Sequence, residues 1–150
     1  MVGKKIELGP TGRTVATNIA AIRTHQNLTW TDVSRRLQER GREIPPVGIK
    51  RIEAMERRVD VDDLVAIAAA LEVAPVALLM PRTRERDERS MITGETETHT
   101  NEELWHWFTG QLPLHTESEP VDIFWIGRSR PLWSHPRTIH TSEERTHGDD

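Results

Sequence analysis

Gly41-Arg-Glu-Ile-Pro-Pro-Val-Gly-Ile-Lys-Arg-Ile-Glu53 is the stretch on which the fold turns. Its second half reads as a short helix, with Ile49 and Ile52 on an inner face and the basic Lys50 and Arg51 outside it. Its first half carries Pro45, Pro46 and Gly48, residues that usually interrupt helices. A proline at the first helical position is harmless, because the amide hydrogen it lacks would have no intrahelical partner. Pro45 also holds Ile44 extended. The proline pair is therefore expected to start a helix after a long turn, not to break one.

Working outward, the neighbouring segments also read as helices. Upstream, Thr29-Trp-Thr-Asp32 has the pattern of a capping box, a threonine with an acid three residues on. The helix it opens buries Val33 and Leu37, turns Arg35, Arg36 and Arg40 outward, and ends at Gly41. Earlier still, Val15, Ile19 and Ile22 share one face of a helix expected from about Thr14, with Asn27 near its end. Residues 1–12, with Gly3, Gly9, Pro10 and Gly12, read as a flexible arm. Downstream, Asp60-Val-Asp-Asp63 places acids in the first turn of a helix with a stripe of Leu64, Ile67, Ala68 and Leu71. Pro75 starts a last short helix that Pro81 stops. Residues 13–81 are thus expected to form an all-α, five-helix domain.

Beyond it the character changes. Residues 82–99 read as a charged and polar linker, first the run RTRERDERS and then the mobile MITGETETHT. Residues 100–136 read as a short, mixed α/β, Trp-rich appendage. Thr100-Asn-Glu-Glu103 is a second capping box, opening a helix with Leu104, Trp105 and Phe108 on one side, closed by Gly110. Val121-Asp-Ile-Phe-Trp-Ile126 is β-branched and aromatic and predicts a short strand. Residues 137–150 read as a disordered tail. Trp105, Trp107, Trp125 and Trp133, with Leu104 and Phe108, are either a satellite core or a dimer or partner surface, two roles that are compatible.

Composition narrows the classes. The chain is 35% hydrophobic with a mean hydropathy of -0.60, low for a fully packed chain of 150 residues. It has no cysteine, which excludes disulfides and thiolate metal sites and fits a cytoplasmic setting. No apolar run is long enough for a membrane span, and no apolar segment follows the first lysines as in a secretory signal. The net charge of -4 hides an asymmetry: residues 1–90 carry 16 Lys and Arg against 13 Asp and Glu, and residues 91–150 carry 4 against 11. A basic face on the first part could meet a polyanion.

Two helices joined by a turn, the second short and basic outside, make a helix-turn-helix pattern. The first helix would cross a phosphate backbone and the second would enter the major groove of duplex DNA. On this reading Thr29 and Trp30 lie at the backbone, and Pro46, Val47, Gly48, Lys50 and Arg51 face the groove. Pro46, Val47 and Gly48 offer no side-chain hydrogen bond, so readout would rest on Lys50, Arg51, methyl packing by Val47 and close backbone approach at Gly48.

Residues 14–80 resemble the lambda-repressor-like (xenobiotic-response-element, Cro/C1-type) helix-turn-helix regulators, and look closest to actinobacterial or actinophage members. The likeness is carried by Leu28-Thr29-x-x-x-Val33-Ser34, by Ile49-x-x-Ile52-Glu53, by Arg57-Arg58-Val59-Asp60 with Leu64, and by Ala68-x-x-Leu71-x-Val73-x-Pro75 with Leu78-Leu79. Leu104-Trp105-His106-Trp107 and Pro113-Leu114 resemble a segment common after the domain in actinobacterial members. The resemblance implies a structural ion pair between Arg23 and Glu53, backbone contact by Arg57 and Arg58, and a dimer on a pseudo-palindromic operator. It implies a transcriptional regulator, with repression the family-level expectation. The chain departs from the pattern at Trp30, where a glutamine is usual, at Ser34, where alanine is commoner, and at Met55, where glycine is usual. Ser34 and Ile49 also stand about five residues further apart than usual, predicting a longer first helix and a longer turn.

Other functions find less support. There is no Gly-rich phosphate loop, and no lysine follows Lys50 to serve a Ser-Lys self-cleaving domain, so an enzyme is not expected and no cofactor is implied. His99, His106 and His115 do not share a helix face, HExxH is absent, and no metal site is expected. From another class, a protein-interaction module or antitoxin-like partner acting through the Trp-rich segment remains the alternative.

Overall fold

The computed structural model describes residues 6–115 and 122–135. Its elements run α1 (Pro10–His25), α2 (Trp30–Glu39), α3 (Pro46–Glu53), α4 (Val61–Ala70), α5 (Pro75–Leu79), β1 (Arg89–Ser90), β2 (His99–Thr100), α6 (Asn101–Phe108) and α7 (Ile123–Ser129), then a 3-10 turn over Leu132–Ser134. The architecture is an all-α, five-helix domain with a small, mostly helical appendage holding one antiparallel two-stranded ribbon. Among the described residues, no helix is long and apolar enough to cross a membrane.

Helix α1 begins at Pro10, four residues before the expected start, and so takes in part of the segment read as a flexible arm. The proline sits where it forfeits no hydrogen bond, and Leu8, just before it, is buried at 9% exposure. The side chains of α1 then follow the expected stripe, with one addition. Asn18 is buried among Val15, Ile19 and Ile22 and donates from its amide nitrogen towards the carbonyls of Ala77, Leu78 and Met80. A polar group taken out of water must be hydrogen-bonded. Asn18 meets that demand by satisfying the end of α5, which the short helix cannot do internally.

The core is continuous across the five helices. Ile19, Val33, Leu37, Ile44, Ile49, Ile52, Ile67, Leu71 and Leu78 are each 0–1% exposed. Burying one such side chain contributes about 1.5–3 kcal/mol relative to leaving it in water. Ile49 and Ile52 therefore hold the short helix α3 to the rest far more firmly than eight residues could hold themselves.

The helix ends share one device. After α1, α2, α3, α4 and α6 the next two amides turn back onto the helix, as in Asn27 N to Thr24 O and Leu28 N to Arg23 O, or Met55 N to Ile52 O and Glu56 N to Arg51 O. This is a Schellman closure, and it needs one residue with positive φ. Glycine supplies it at Gly41 and Gly110, and Asn27 at φ 55°. Met55 at φ 61° and Glu72 at φ 57° do so with side chains that disfavour it. Met55→Gly is therefore expected to stabilise the fold by about 1 kcal/mol, read as a higher urea midpoint. A lower midpoint would mean that Met55 packing outweighs its backbone strain.

Residues 82–99 are not the mobile linker expected from composition. Glu88 and Arg86 accept, through their carbonyls, the amides of Asn101 and Glu102 at the start of α6, where no intrahelical acceptor exists. Ser90 pairs with His99 and Arg89 with Thr100 in the ribbon. Ile92 is 4% exposed. Thr93 and Thr11 exchange hydrogen bonds from backbone amide to hydroxyl, at 2.9 and 3.2 Å, and so dock the ribbon turn on the start of α1. The charge run wraps a helix start because that start needs acceptors.

The strand expected at residues 121–126 is a helix in its described part. Asp122 caps α7 by accepting from the Phe124 amide, and among the described residues no strand lies alongside to pair with it. Arg130, just past α7, donates to the carbonyls of Gly110 and Gln111 at the end of α6. Strand propensity here is overridden by a local cap and a tertiary anchor. The tail read as disordered, residues 137–150, lies outside the described residues, as do residues 1–5 of the arm.

Candidate nucleic-acid interface

Helices α2 and α3 form two arms joined by a turn. Thr29 caps α2 through a complete capping box: its hydroxyl accepts from the Asp32 amide, and its own amide donates to the Asp32 carboxylate. The cap holds the Asp32 carboxyl below its usual range, chiefly through the Thr29 hydroxyl and then the Thr29 amide. The turn from Arg40 to Pro45 is pinned twice. Ser34 donates its hydroxyl to the Ile44 carbonyl at 2.7 Å, which gives the serine at this position a role that alanine could not fill. Arg42 reaches Asp63 at 2.8 Å through Nε and lies 3.3 Å from Asp60. Pro45 caps α3 and Pro46 is its first residue.

Along α3 the exposed edge carries Val47, 61% exposed, with Lys50 and Arg51. Arg51 makes only a loose approach to Glu56 at 3.9 Å. Pro46 is half-buried beside them. Gly48 is not on this edge: it is buried, and a Cβ there would lie 2.8 Å from Nη1 of Arg57 and 3.1 Å from Cγ2 of Ile44. The glycine leaves room for the Arg57 guanidinium instead of offering backbone to a groove. This corrects its expected place, since helical periodicity sets Gly48 beside Ile49 and Ile52, on the inner side.

Trp30 bridges the two helices. Its indole N–H, the only donor the side chain has, goes to Glu53 at 3.0 Å. The charged ends of Arg23 and Lys50 each lie 5.3 Å from its ring centroid, within cation–π range. Glu53 also takes Arg23 in a two-pronged pair, 2.6 Å from Nε and 2.9 Å from Nη2, while Arg23 Nη1 donates to the Leu28 carbonyl. Glu53, first through its hydrogen bond, raises the pKa of Arg23. Trp30 is thus a brace that fixes α3 against α2, and its donor is committed away from a phosphate.

Arg57 and Arg58 are engaged elsewhere. Arg57 donates to Asp63 at 3.1 Å, and Arg58 donates to the Glu7 carbonyl in the arm at 2.8 Å. Asp63 is 1% exposed and accepts from both Arg42 and Arg57. Arg42 did not stand out in the sequence, and Asp63 was read there only as a first-turn acid. A signal existed for Asp63, because it precedes Ile67 and Ala70 at helical spacing on the buried stripe of α4. An acid on an apolar stripe requires a partner.

In the appendage, Leu104 is fully buried, so it belongs to a small core and not to a partner surface. Trp107 and Phe108 have ring centroids 5.0 Å apart and share a shallow pocket with Trp125. Trp105 is 44% exposed, Trp107 36% and Trp133 87%. The carboxylate of Glu95 lies against the imidazoles of both His99 and His115, which no helical spacing would have revealed.

The two arms, the extended turn between them and the basic outer edge of α3 define a helix-turn-helix unit. Residues 19–78 match the family model described as Helix-turn-helix, and the match supports the likeness to Cro/C1-type regulators. No curated protein and no solved structure matches the chain.

Proposed function

We propose that the protein is a sequence-specific regulator of transcription that sets α3 in the major groove of duplex DNA, with Lys50, Arg51 and Val47 as its reading edge. The observation that carries this reading is the outer edge of α3: two cations and an exposed valine on a helix clamped from behind by Trp30, Glu53 and two buried isoleucines. A rigid support is what base readout requires, since a misplaced side chain loses its hydrogen bonds. Lysine and arginine suit the acceptor edge of guanine, and valine suits a thymine methyl. Thr29 places the start of α2 where the amides of its first two residues can meet a phosphate. The protein acts as a homodimer on two half-sites about one helical turn apart, in the cytoplasm, most simply as a repressor, and by binding rather than catalysis.

The test uses a random-sequence duplex pool, enriched on the full-length protein, and fluorescence anisotropy on the selected duplex across a salt series. Replacing Lys50 and Arg51 together by alanine is expected to weaken binding by about tenfold or more and to flatten the salt slope by roughly one to two. Unchanged affinity and slope would remove α3 from the interface.

A second reading rests on the exposed aromatic side chains of Trp105, Trp107, Phe124 and Trp133: they form a dimer or partner surface. Light scattering on the full chain decides it for the dimer, because Trp133→Ser should then shift mass towards the monomer on dilution.

A further inference from the structure

We propose that Glu95, His99 and His115 form a binding site for one divalent transition-metal ion, with zinc the ion their chemistry fits best. Each residue offers one ligand atom, and the three atoms lie within 4.8 Å of one another. One carboxylate oxygen of Glu95 is 3.2 Å from Nε2 of His99 and 2.9 Å from Nε2 of His115. Zinc holds nitrogen and oxygen ligands at about 2.0–2.2 Å, so neighbouring ligand atoms of a tetrahedral site lie roughly 3.3 Å apart. The observed separations are close to the edges of such a polyhedron. The imidazoles do not stack: their centroids are 5.3 Å apart with planes at 70°, and both turn Nε2 to the same carboxylate.

The fold brings these groups together from three places. His99 is in β2, fixed by pairing with Ser90, and its side chain is only 8% exposed. Glu95 follows Gly94, whose φ of +97° turns the chain back so that the carboxylate faces β2. His115 comes from beyond α6 and is 66% exposed. The buried side of the site is therefore firm and the outer side is open to water. Two imidazoles and one carboxylate, with room for a fourth ligand, are a zinc donor set. Calcium and magnesium prefer oxygen donors throughout.

A cation here would cross-link the ribbon turn, β2 and the segment after α6. Thr93, two residues before Glu95, docks that turn on α1 through Thr11. The metal would thus fix the appendage internally, including the turn that Thr93 docks on α1, and its binding energy would add to the stability of the folded chain.

The competing arrangement is a plain hydrogen-bonded cluster, with Glu95 accepting from both rings. Full-length protein without a polyhistidine tag, stripped with a chelator, separates the two. Titration with Co²⁺ is expected to saturate at a single equivalent with visible d–d bands, which Zn²⁺ then displaces, and Zn²⁺ is expected to raise Tm. His115→Ala, at the exposed corner, should leave the metal-free circular dichroism and Tm unchanged. It should weaken Zn²⁺ binding by at least about tenfold. Glu95→Gln should weaken it likewise, and His25→Ala, at the exposed end of α1, should not. Failure to form a stoichiometric cobalt complex, or unaltered zinc affinity in both His115→Ala and Glu95→Gln, overturns the site.

Discussion

Replacing Glu53 by alanine is expected to cost about 3–5 kcal/mol of folding stability. The carboxylate accepts two bonds from Arg23 and one from the Trp30 indole, and its side chain is 9% exposed. Without it, the Arg23 guanidinium, 15% exposed, keeps the Leu28 carbonyl and the face of the Trp30 ring but no carboxylate among the described residues. The large effect comes from the charge left behind, not from the intrinsic worth of the pair. Domains of this size have about 5–15 kcal/mol in total, so the variant should unfold at a much lower urea concentration. Glu53→Gln keeps an acceptor for the indole and should lose less. The alanine change should also loosen the seat of α3, because Trp30 would lose its fixed partner. A midpoint within error of the wild type would show that water replaces the carboxylate at no cost, and the brace would have to be sought elsewhere.

The helices were legible because their signals are local. Thr29-x-x-Asp32 and Thr100-x-x-Glu103 both form complete capping boxes, and Pro46 and Pro75 each begin a helix. The long turn after α2 could be counted from Ser34 to Ile49, but not the two contacts that hold it, because Ser34 to Ile44 and Arg42 to Asp63 depend on the packed fold. The exposed edge of α3 was legible at Val47, Lys50 and Arg51. It was misread at Gly48, where the absence of a side chain serves Arg57 rather than a groove. The appendage was least legible. The polar run at residues 82–99 and the apolar run at residues 121–126 have compositions that fit several structures, and what selects among them is the need of α6 for acceptors at one end and donors at the other. A ligand-like cluster built across a ribbon turn has no helical period to betray it.

Asp63→Ala is the second large effect, expected to cost about 3 kcal/mol or more. Asp63 is 1% exposed and takes Arg42 from the α2–α3 turn and Arg57 from the α3–α4 turn, while its own amide bonds to the Asp60 side chain. Asp63 raises the pKa of Arg42, first through their hydrogen bond, with Asp60 and Asp62 adding their charge. Alanine would leave two guanidiniums converging beside α3 with Asp60 as the nearest acid. Their repulsion would push apart the two turns that set the angle of α3. The penalty should fall if the arginines go too. A triple variant, Arg42→Met, Asp63→Leu and Arg57→Met, removes all three charges and should unfold at a higher urea concentration than Asp63→Ala alone, because hydrophobic replacement of a buried ionic cluster is often neutral or better. If the triple variant is instead the weaker, the network contributes net stability through its geometry. Should the triple variant recover stability but bind the selected duplex less well than the wild type, the arginines are retained for where they hold α3, not for how firmly they hold the fold.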